Sequence, residues 1–204
     1  VLDGIKQEKI NTKYLRIAKG ENTGNALIFL NKNFKNHISV SPESNLLFNY
    51  NELNIFKKLK NEISVLLLQQ EIPIDINIDL LKIANESGIK TIYDPGPPSK
   101  YENFDFLKFV DFLTPNKHEA EFILGKKIDG FELEAAKELK KIGSNHVIIT
   151  LGSEGLVYSG DFDQIFKPIK VNSVDPVGSG DCFNGALASC LLYTSPSPRD
   201  VIQS

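Results

Sequence analysis

Residues 174–187 read Val-Asp-Pro-Val-Gly-Ser-Gly-Asp-Cys-Phe-Asn-Gly-Ala-Leu, a loop with two glycines that leads directly into a helical pattern. The first N–H groups of a helix have no partner within the helix, and the helix dipole favours an anion there. Glycine on both sides of Ser179 lets a phosphate approach the backbone without meeting a side chain. The sequence therefore predicts an anion hole formed by Gly178, Ser179 and Gly180.

Two interpretations of Asp181, which follows this loop, are open. In the first, its carboxylate only caps the helix, as aspartate often does. In the second, it lies near a bound phosphoryl group, which it repels by about 4 kcal/mol at ~4 Å and an effective dielectric constant of ~20. That placement is productive when the carboxylate takes the proton from an attacking hydroxyl while Mg²⁺ offsets the charge. The loop is neither a P-loop nor a Gly-x-Gly-x-x-Gly fingerprint.

Strand-like and helix-like segments alternate upstream of this loop, which favours βαβ units and an α/β fold with a mainly parallel sheet. Before them, short β-type runs at residues 14–18, 26–30 and 37–40 predict an antiparallel lid within residues 12–40. The predicted strands of the α/β part are residues 63–68, 91–93, 109–113 and 146–150, and the predicted helices are residues 53–59, 75–87, 117–124 and 133–142, with a last helix beginning near Asp181.

The composition is that of an average soluble globular chain. Its 204 residues carry 23 Lys plus Arg against 26 Asp plus Glu, a net charge of −3, and 41% are hydrophobic. These values exclude collagen-like and wholly disordered chains and argue against a polybasic nucleic-acid binder. No apolar run approaches the ~20 residues that span a bilayer. Cys182 and Cys190 are too few for a disulfide framework, so we expect buried free thiols in a cytoplasmic protein.

Both ends of the chain are unusual. The sequence contains no Met and opens on Val1 within ordinary structured sequence, so we expect a fragment whose start lies upstream. Residues 191–204 read Leu-Leu-Tyr-Thr-Ser-Pro-Ser-Pro-Arg-Asp-Val-Ile-Gln-Ser, with prolines where the last helix should continue. We interpret them as a disordered tail or translated vector or adapter sequence, with a native loop as the alternative.

Several motifs, all in register, resemble those of the ribokinase-like (PfkB) sugar kinases. The resemblance covers about residues 1–190, a partial kinase domain, and implies a three-layer α/β sandwich with a small β lid. Residues 175–185 are similar to the C-terminal signature of that family, and residues 22–28 are similar to its Ser-Thr-Gly-x-Ala strand. Residues 66–73 and 93–97 are similar to segments around its sugar site. Residues 114–121 resemble its Asn-x-x-Glu element, and residues 149–155 resemble its nucleotide loop.

The resemblance implies ATP-dependent phosphorylation of a small sugar. Within the family the motifs look most similar to those of ribokinases, which implies that D-ribose is converted to ribose 5-phosphate. The alternatives are a 2-keto-3-deoxygluconate, fructose or nucleoside kinase of the same family, or a non-catalytic sugar-binding relative. Retention of Asp181 beside an intact anion-hole sequence argues against the last. The partners implied are the sugar, ATP and a second copy bound through the lid, with no nucleic acid and no membrane.

The roles of individual residues also follow from the resemblance. Asp181 would be the base that activates the sugar hydroxyl, with Gly178, Ser179 and Gly180 around the γ-phosphate. Glu71 would accept hydrogen bonds from the sugar, a surface or turn glutamate being the alternative.

Other residues would bind the nucleotide and its cations. Asn116 would approach the nucleotide phosphates, although it is equally suited to be a helix N-cap. Glu119 would hold Mg²⁺ through water, since Mg²⁺ gives up its hydration reluctantly. Asp175 and the carbonyl of Val177 would bind K⁺, which prefers oxygen ligands. Thr150, Gly152, Ser153 and Gly155 would line the nucleotide, an ordinary strand-turn-strand being the alternative.

Parts of the family fold have no counterpart in this chain. Its N-terminal part, with a sugar-binding Asp and a Gly-Gly hinge, is absent, and so is the region that covers the adenine. We therefore expect residues 1–204 alone to lack kinase activity and to be aggregation-prone or molten, with apolar residues 65–68 and 147–149 partly uncovered at a sheet edge.

Overall fold

Local sequence signals set the ends of the helices. In the computed structural model, which describes residues 1–30, 36–99, 103–172 and 175–194, Asn49 and Asn116 cap two helices and Gly125 ends the second of them at φ 66°. The described helices are α1 (Leu2–Gln7), α2 (Tyr50–Leu59), α3 (Ile74–Glu86), α4 (Lys117–Leu124), α5 (Glu132–Ile142) and α6 (Ser179–Thr194). The described strands are β1 (Asn25–Leu30), β2 (Asn36–Ser41), β3 (Val65–Gln69), β4 (Lys90–Asp94), β5 (Phe112–Leu113), β6 (His146–Thr150), β7 (Leu156–Ser159) and β8 (Asp163–Phe166).

The main sheet contains β3 to β8 in chain order. Strands β3, β4, β5 and β6 are parallel, and β7 and β8 add an antiparallel hairpin at one edge. Helix α3 connects β3 to β4, helices α4 and α5 connect β5 to β6, and α6 contacts β3 and β4. The prediction of an α/β fold with a mainly parallel sheet is confirmed.

The core lies around the central strands. Ile92 and Tyr93 of β4 and Val147 and Ile149 of β6 are fully buried. The expectation that residues 147–149 are partly uncovered is therefore wrong, because β7 pairs with β6 and α5 packs against both strands.

Strand β3 is less well covered than the centre of the sheet. Within the described ranges it pairs only with β4, and Leu67 is 39% exposed. The predicted uncovered apolar edge is thus present at β3.

The lid is smaller than predicted. Residues 14–18 form no strand, because Arg16 bonds to the carbonyl of Leu47 at 2.7 Å and to the carboxylate of Glu52, which ties this segment to α2. The lid is the antiparallel hairpin of β1 and β2, whose residues 31–35 lie outside the described part of the chain.

Two more segments differ from expectation. The strand predicted at residues 109–113 is reduced to Phe112–Leu113, and the preceding residues form a 3₁₀ turn. Phe106 and Leu107 in that turn are both buried in the core. Strand β8 and helix α1 had no sequence prediction, and a strand at the position of β7 was part only of the strand-turn-strand alternative for residues 150–155.

Helix α6 is largely exposed. It extends to Thr194, so the first residues of the segment interpreted as a tail continue the helix, while residues 195–204 lie outside the described ranges. Cys182 and Cys190 are exposed rather than buried as predicted, because α6 packs mainly through the face that meets β3 and β4. None of the described helices combines the length and the apolar character that crossing a bilayer requires.

Candidate functional site

The carboxyl ends of the parallel strands and the N-terminus of α6 enclose a cavity of about 400 Å³. Ligands of α/β sheets generally bind at this end of the strands. Of the residues that the sequence singles out, the cavity is lined by Glu71, Asn116, Glu119, Thr150, Val177, Gly178, Ser179, Gly180 and Asp181, whereas Gly152, Ser153, Gly155 and Asp175 do not line it.

The signature loop turns into α6 at Gly178. Its φ of 77° is in the left-handed region that favours glycine, and its carbonyl accepts the N–H of Cys182 at 2.9 Å. The N–H of Ser179 donates to the carbonyl of Pro176 at 3.2 Å, so this amide already has a partner. The amides of Gly180 and Asp181 follow in the first turn, where a helix offers them no internal acceptor.

Asp181 is the third residue of α6, inside the first turn rather than at the cap position. Its Oδ1 accepts a hydrogen bond from Nε2 of Gln69, at the end of β3, at 2.9 Å. The carboxylate is thus tied across the cavity to the sheet instead of serving as the N-cap of its own helix. This geometry favours the second interpretation, in which the carboxylate acts on a ligand.

Two further carboxylates meet beside Asp181. Asp94 follows the buried part of β4, Glu119 lies in the first turn of α4, and each is only 9% exposed. A Cβ on Gly96 would lie 2.6 Å from Glu119 Oε1 and 3.2 Å from Asp94 Oδ1, so a larger residue here would displace the carboxylate of Glu119. Asp94 lies in residues 93–97, which resemble a segment around the family's sugar site, but the sequence predicts no separate role for it. The available signal was a carboxylate directly at the carboxyl end of a predicted strand.

Burial changes the protonation of this pair. It raises the pKa of Glu119 to about 7, and the negative charge of Asp94 acts in the same direction, against the hydrogen bonds from Asn116. Burial also raises the pKa of Asp94, to which the charge of Asp181 contributes. The cavity therefore disfavours its own negative charge unless a cation is bound.

Asn116 orients Glu119. Its Oδ1 accepts the N–H of Glu119 at 3.0 Å, while Glu119 Oε2 accepts the N–H of Asn116 and Oε1 accepts its Nδ2, both at 2.7 Å. The alternative interpretation of Asn116 as an N-cap is confirmed in this capping box. Each carboxylate oxygen keeps a second lone pair for another ligand.

The basic residue next to Asn116 is directed away from these carboxylates. Lys117 pairs with Asp129 at 2.7 Å and with Glu132 at 3.2 Å, and the hydrogen bond that Lys117 donates to Asp129 contributes most to raising the pKa of Lys117. Across the described ranges, none of Asp94, Glu119 and Asp181 forms an ion pair with Lys or Arg. Two buried carboxylates without a cationic partner fit a divalent cation with oxygen ligands, such as Mg²⁺.

The remaining predicted residues lie at the edges of the cavity. Glu71 is exposed in the turn after β3, and Thr150 ends β6, where its N–H donates to the carbonyl of Pro115 at 2.9 Å. Residues 152–155 join β6 to β7 by a short 3₁₀ turn, so the strand-turn-strand interpretation describes their local structure. Asp175 Oδ1 accepts the N–H of Val177 at 2.9 Å.

A model of the pfkB family of carbohydrate kinases matches residues 1–200. Over 136 residues, 66% of this chain and 42% of the relative, the chain is 38% identical to a ribokinase of Lactococcus lactis. Over 197 residues, 94% of this chain and 61% of the relative, it is 30% identical to the ribokinase of Mus musculus. The chain thus spans less than two thirds of the length of these relatives.

Solved structures share the fold. An Arabidopsis thaliana ribokinase complexed with ribose and ATP is 26% identical, with a TM-score of 0.69 over 86% of this chain and 58% of that chain. A Burkholderia thailandensis nucleoside kinase in complex with inosine is 18% identical, with a TM-score of 0.74 over 94% of this chain and 63% of that chain. At 18% identity the second likeness concerns the fold alone.

Proposed function

The chain belongs to the pfkB family of carbohydrate kinases, and from this we propose that the protein transfers the γ-phosphoryl group of ATP to a hydroxyl of a small sugar, D-ribose, to give ribose 5-phosphate. The observation that carries the proposal is the cavity in which Asp181, the glycine loop before α6 and two buried carboxylates face one another. The similarity to ribokinases supports the choice of ribose.

Asp181 performs the proton transfer in this proposal. Its carboxylate accepts the proton of the sugar hydroxyl as that oxygen forms a bond to the γ-phosphorus, and the bond between this phosphorus and the bridging oxygen breaks to release ADP. The developing negative charge lies at the N-terminus of α6, where the dipole and the free amides of the first turn stabilise it.

Asp94 and Glu119 would hold Mg²⁺, which when bound neutralises the charge of the phosphate oxygens. The chain contributes the orientation of Glu119, fixed by Asn116, and the close approach permitted by Gly96. Asn116 would additionally approach the nucleotide phosphates, with Thr150 and residues 152–155 along the nucleotide.

We also assign K⁺ to Asp175 and the carbonyl of Val177. One carboxylate oxygen of Asp175 accepts the N–H of Val177, which leaves the other oxygen as a ligand for a cation. Oxygen ligands suit a hard monovalent ion.

Sugar recognition is assigned to Glu71, which lines the cavity on the β3 side. In a protein that contains this chain, Glu71→Ala should raise the KM for sugar about tenfold, the effect of losing a hydrogen bond worth ~1.5 kcal/mol, and leave the KM for ATP unchanged. Glu62→Ala, at an exposed glutamate outside the cavity, is the matched control. An unchanged KM for sugar contradicts the assignment.

The choice of substrate is tested with a panel of ribose, fructose, 2-keto-3-deoxygluconate and adenosine. The highest kcat/KM is expected for ribose. A clear preference for adenosine makes the protein a nucleoside kinase, and a preference for either of the other sugars gives another specificity of the same family. Binding of sugar without any turnover identifies a non-catalytic relative.

The assembly we propose is a homodimer through the lid, in the cytoplasm. In the described ranges β1 pairs only with β2, and Leu27 and Val40 are 59% and 45% exposed. Light scattering should find a dimer for the wild type and a monomer for Leu27→Glu. A wild-type monomer contradicts the dimer.

We further propose that residues 1–204 alone have no measurable kinase activity. The support is the exposed edge at β3, where Leu67 is 39% exposed, and the exposure of most of α6. A sharp cooperative melt of a monodisperse sample, together with sugar-dependent consumption of ATP, contradicts this.

A further inference from the structure

Gln69, the last residue of β3, reaches two carboxylates with one amide group. Its Nε2 donates to Asp181 Oδ1 at 2.9 Å and lies 3.4 Å from Asp94 Oδ2. A primary amide carries two N–H donors, so each carboxylate can receive one. The backbone of Gln69 is fixed as well, because it pairs with Asp94 in the sheet and its carbonyl accepts Nδ2 of Asn77 at 3.0 Å.

The orientation of this amide is determined by its surroundings. If the amide were rotated by 180°, its oxygen would face the negatively charged oxygens of Asp181 and Asp94 and both hydrogen bonds would become repulsive contacts. Gln69 is therefore held as a donor towards Asp181.

A second amide closes the same network from the helix side. Asn184 lies one turn after Asp181 on α6, is only 2% exposed, and donates from Nδ2 to Asp94 Oδ2 at 2.8 Å. Asp94 thus receives donors from β3 and from α6. The four side chains join β3, β4 and the first turns of α6 in one set of contacts.

We propose that Gln69 is a positioning residue for Asp181. The carboxylate of Asp181 is exposed, and the hydrogen bond from Gln69 selects the rotamer that faces the cavity. A general base must be aimed at the proton it takes, and small displacements of reacting groups reduce turnover strongly. The inference rests on the proposed kinase function, in which Asp181 is the base.

The test compares variants of Gln69 with a variant of a glutamine outside the cavity. Gln69→Met removes the N–H donors and keeps an unbranched side chain. Gln69→Glu keeps the shape of the side chain but places another carboxylate beside Asp181 and Asp94. We expect kcat to fall about tenfold in the first and further in the second, the scale of a lost hydrogen bond to a charged group. The KM values for sugar and ATP should stay within about twofold of wild type.

Gln164→Met is the matched control. Gln164 is an exposed glutamine of β8 that does not line the cavity, so the kcat of this variant should remain close to wild type. A raised KM for sugar with unchanged kcat in Gln69→Met overturns the proposal, because it makes Gln69 a substrate contact. Unchanged kcat and KM overturn it too.

Crystal structures of the wild type and Gln69→Met provide a readout that needs no activity. We expect the Asp181 carboxylate to leave its wild-type orientation in the variant. An unchanged orientation overturns the positioning role. If the wild type phosphorylates no acceptor, the proposed function fails, while the structures still decide the role of Gln69.

Discussion

The carboxylates at the two ends of the parallel strands have different partners. At the amino ends, Asp111 accepts the N–H of Thr91 at 2.9 Å and pairs with Lys90 at 3.3 Å. At the carboxyl ends, Asp94 and Glu119 are more deeply buried, and within the described ranges neither meets a Lys or Arg. A carboxylate at the first end stabilises the fold, whereas the pair at the second end costs stability until a cation is bound.

The space at the two ends differs as well. At the amino end, the ring of His146 stacks on Phe112 at a centroid distance of 4.5 Å and its Nδ1 lies 2.9 Å from the hydroxyl of Tyr158. Burial lowers the pKa of His146, so this stack remains neutral. The carboxyl ends of the strands line a cavity of about 400 Å³. In the proposed function the carboxyl end binds the ligands, whereas these contacts at the amino end stabilise the fold.

The largest effect should come from the carboxyl end. In a protein that contains this chain, Asp181→Asn should reduce kcat by ~10² or more, the scale of losing a general base. The affinity for nucleotide, measured by calorimetry, should stay close to wild type. Turnover near the wild-type rate would show that Asp181 is not the base, and it would contradict the assignment of catalysis to the carboxyl end of the strands.

The next effect concerns the pH dependence of stability in the absence of metal. Because the pKa of Glu119 is raised to about 7, the folded protein keeps a proton that the unfolded chain releases above its ordinary pKa near 4.5. The free energy of unfolding should therefore fall by about 2–3 kcal/mol between pH 5 and 8. Glu119→Gln should lack this loss, as measured by urea unfolding at several pH values.

Glu121→Gln, in the same helix, is the control for that prediction. The hydrogen bond from Lys127 lowers the pKa of Glu121, so its stabilisation is complete above the ordinary pKa and does not change between pH 5 and 8. Mg²⁺ at pH 8 should raise the melting temperature of the wild type and of Glu121→Gln, but not of Glu119→Gln. Equal pH profiles for wild type and Glu119→Gln contradict the account.

A smaller effect is expected from the amino end. Asp111→Ala leaves the buried N–H of Thr91 without that acceptor and should cost about 1–2 kcal/mol of stability. Because Asp111 is remote from the cavity, kcat should remain at the wild-type value below the melting temperature. A fall in kcat without loss of stability would show that the two ends are not separate in function.

The smallest effect tests the cation assigned to the signature loop. Activity should rise severalfold when K⁺ replaces Na⁺ or a bulky organic cation, and Asp175→Ala should abolish this response. Equal rates of the wild type in all three salts contradict the site.

Features set by neighbours in sequence were predictable. The bounds of α4, its N-cap at Asn116 and its end at Gly125 follow from residues within a few positions. The prediction of an anion hole before Asp181 has the same origin, since a glycine loop before a helix is a local pattern. The mainly parallel sheet followed from the alternation of segments.

Features set by distant contacts were not predictable. Gln69 meets Asp181 across 112 residues and Asn184 meets Asp94 across 90, so spacing alone gave no signal for these amides. The segment at residues 14–18 has the composition of a strand but forms none, and its Arg16 contacts Glu52, 36 residues away in sequence.

Phosphorus NMR of ATP with a sugar tests the central claim most directly, namely that the carboxyl end of the sheet transfers a phosphoryl group. The sample is a protein that contains residues 1–204 and matches the curated relatives in length, with Mg²⁺, K⁺ and either ribose, fructose, 2-keto-3-deoxygluconate or adenosine. The account predicts a new phosphomonoester signal with ribose, formed as ATP is converted to ADP. Absence of a phosphomonoester with all four acceptors, or its formation at the same rate by Asp181→Asn, would contradict it.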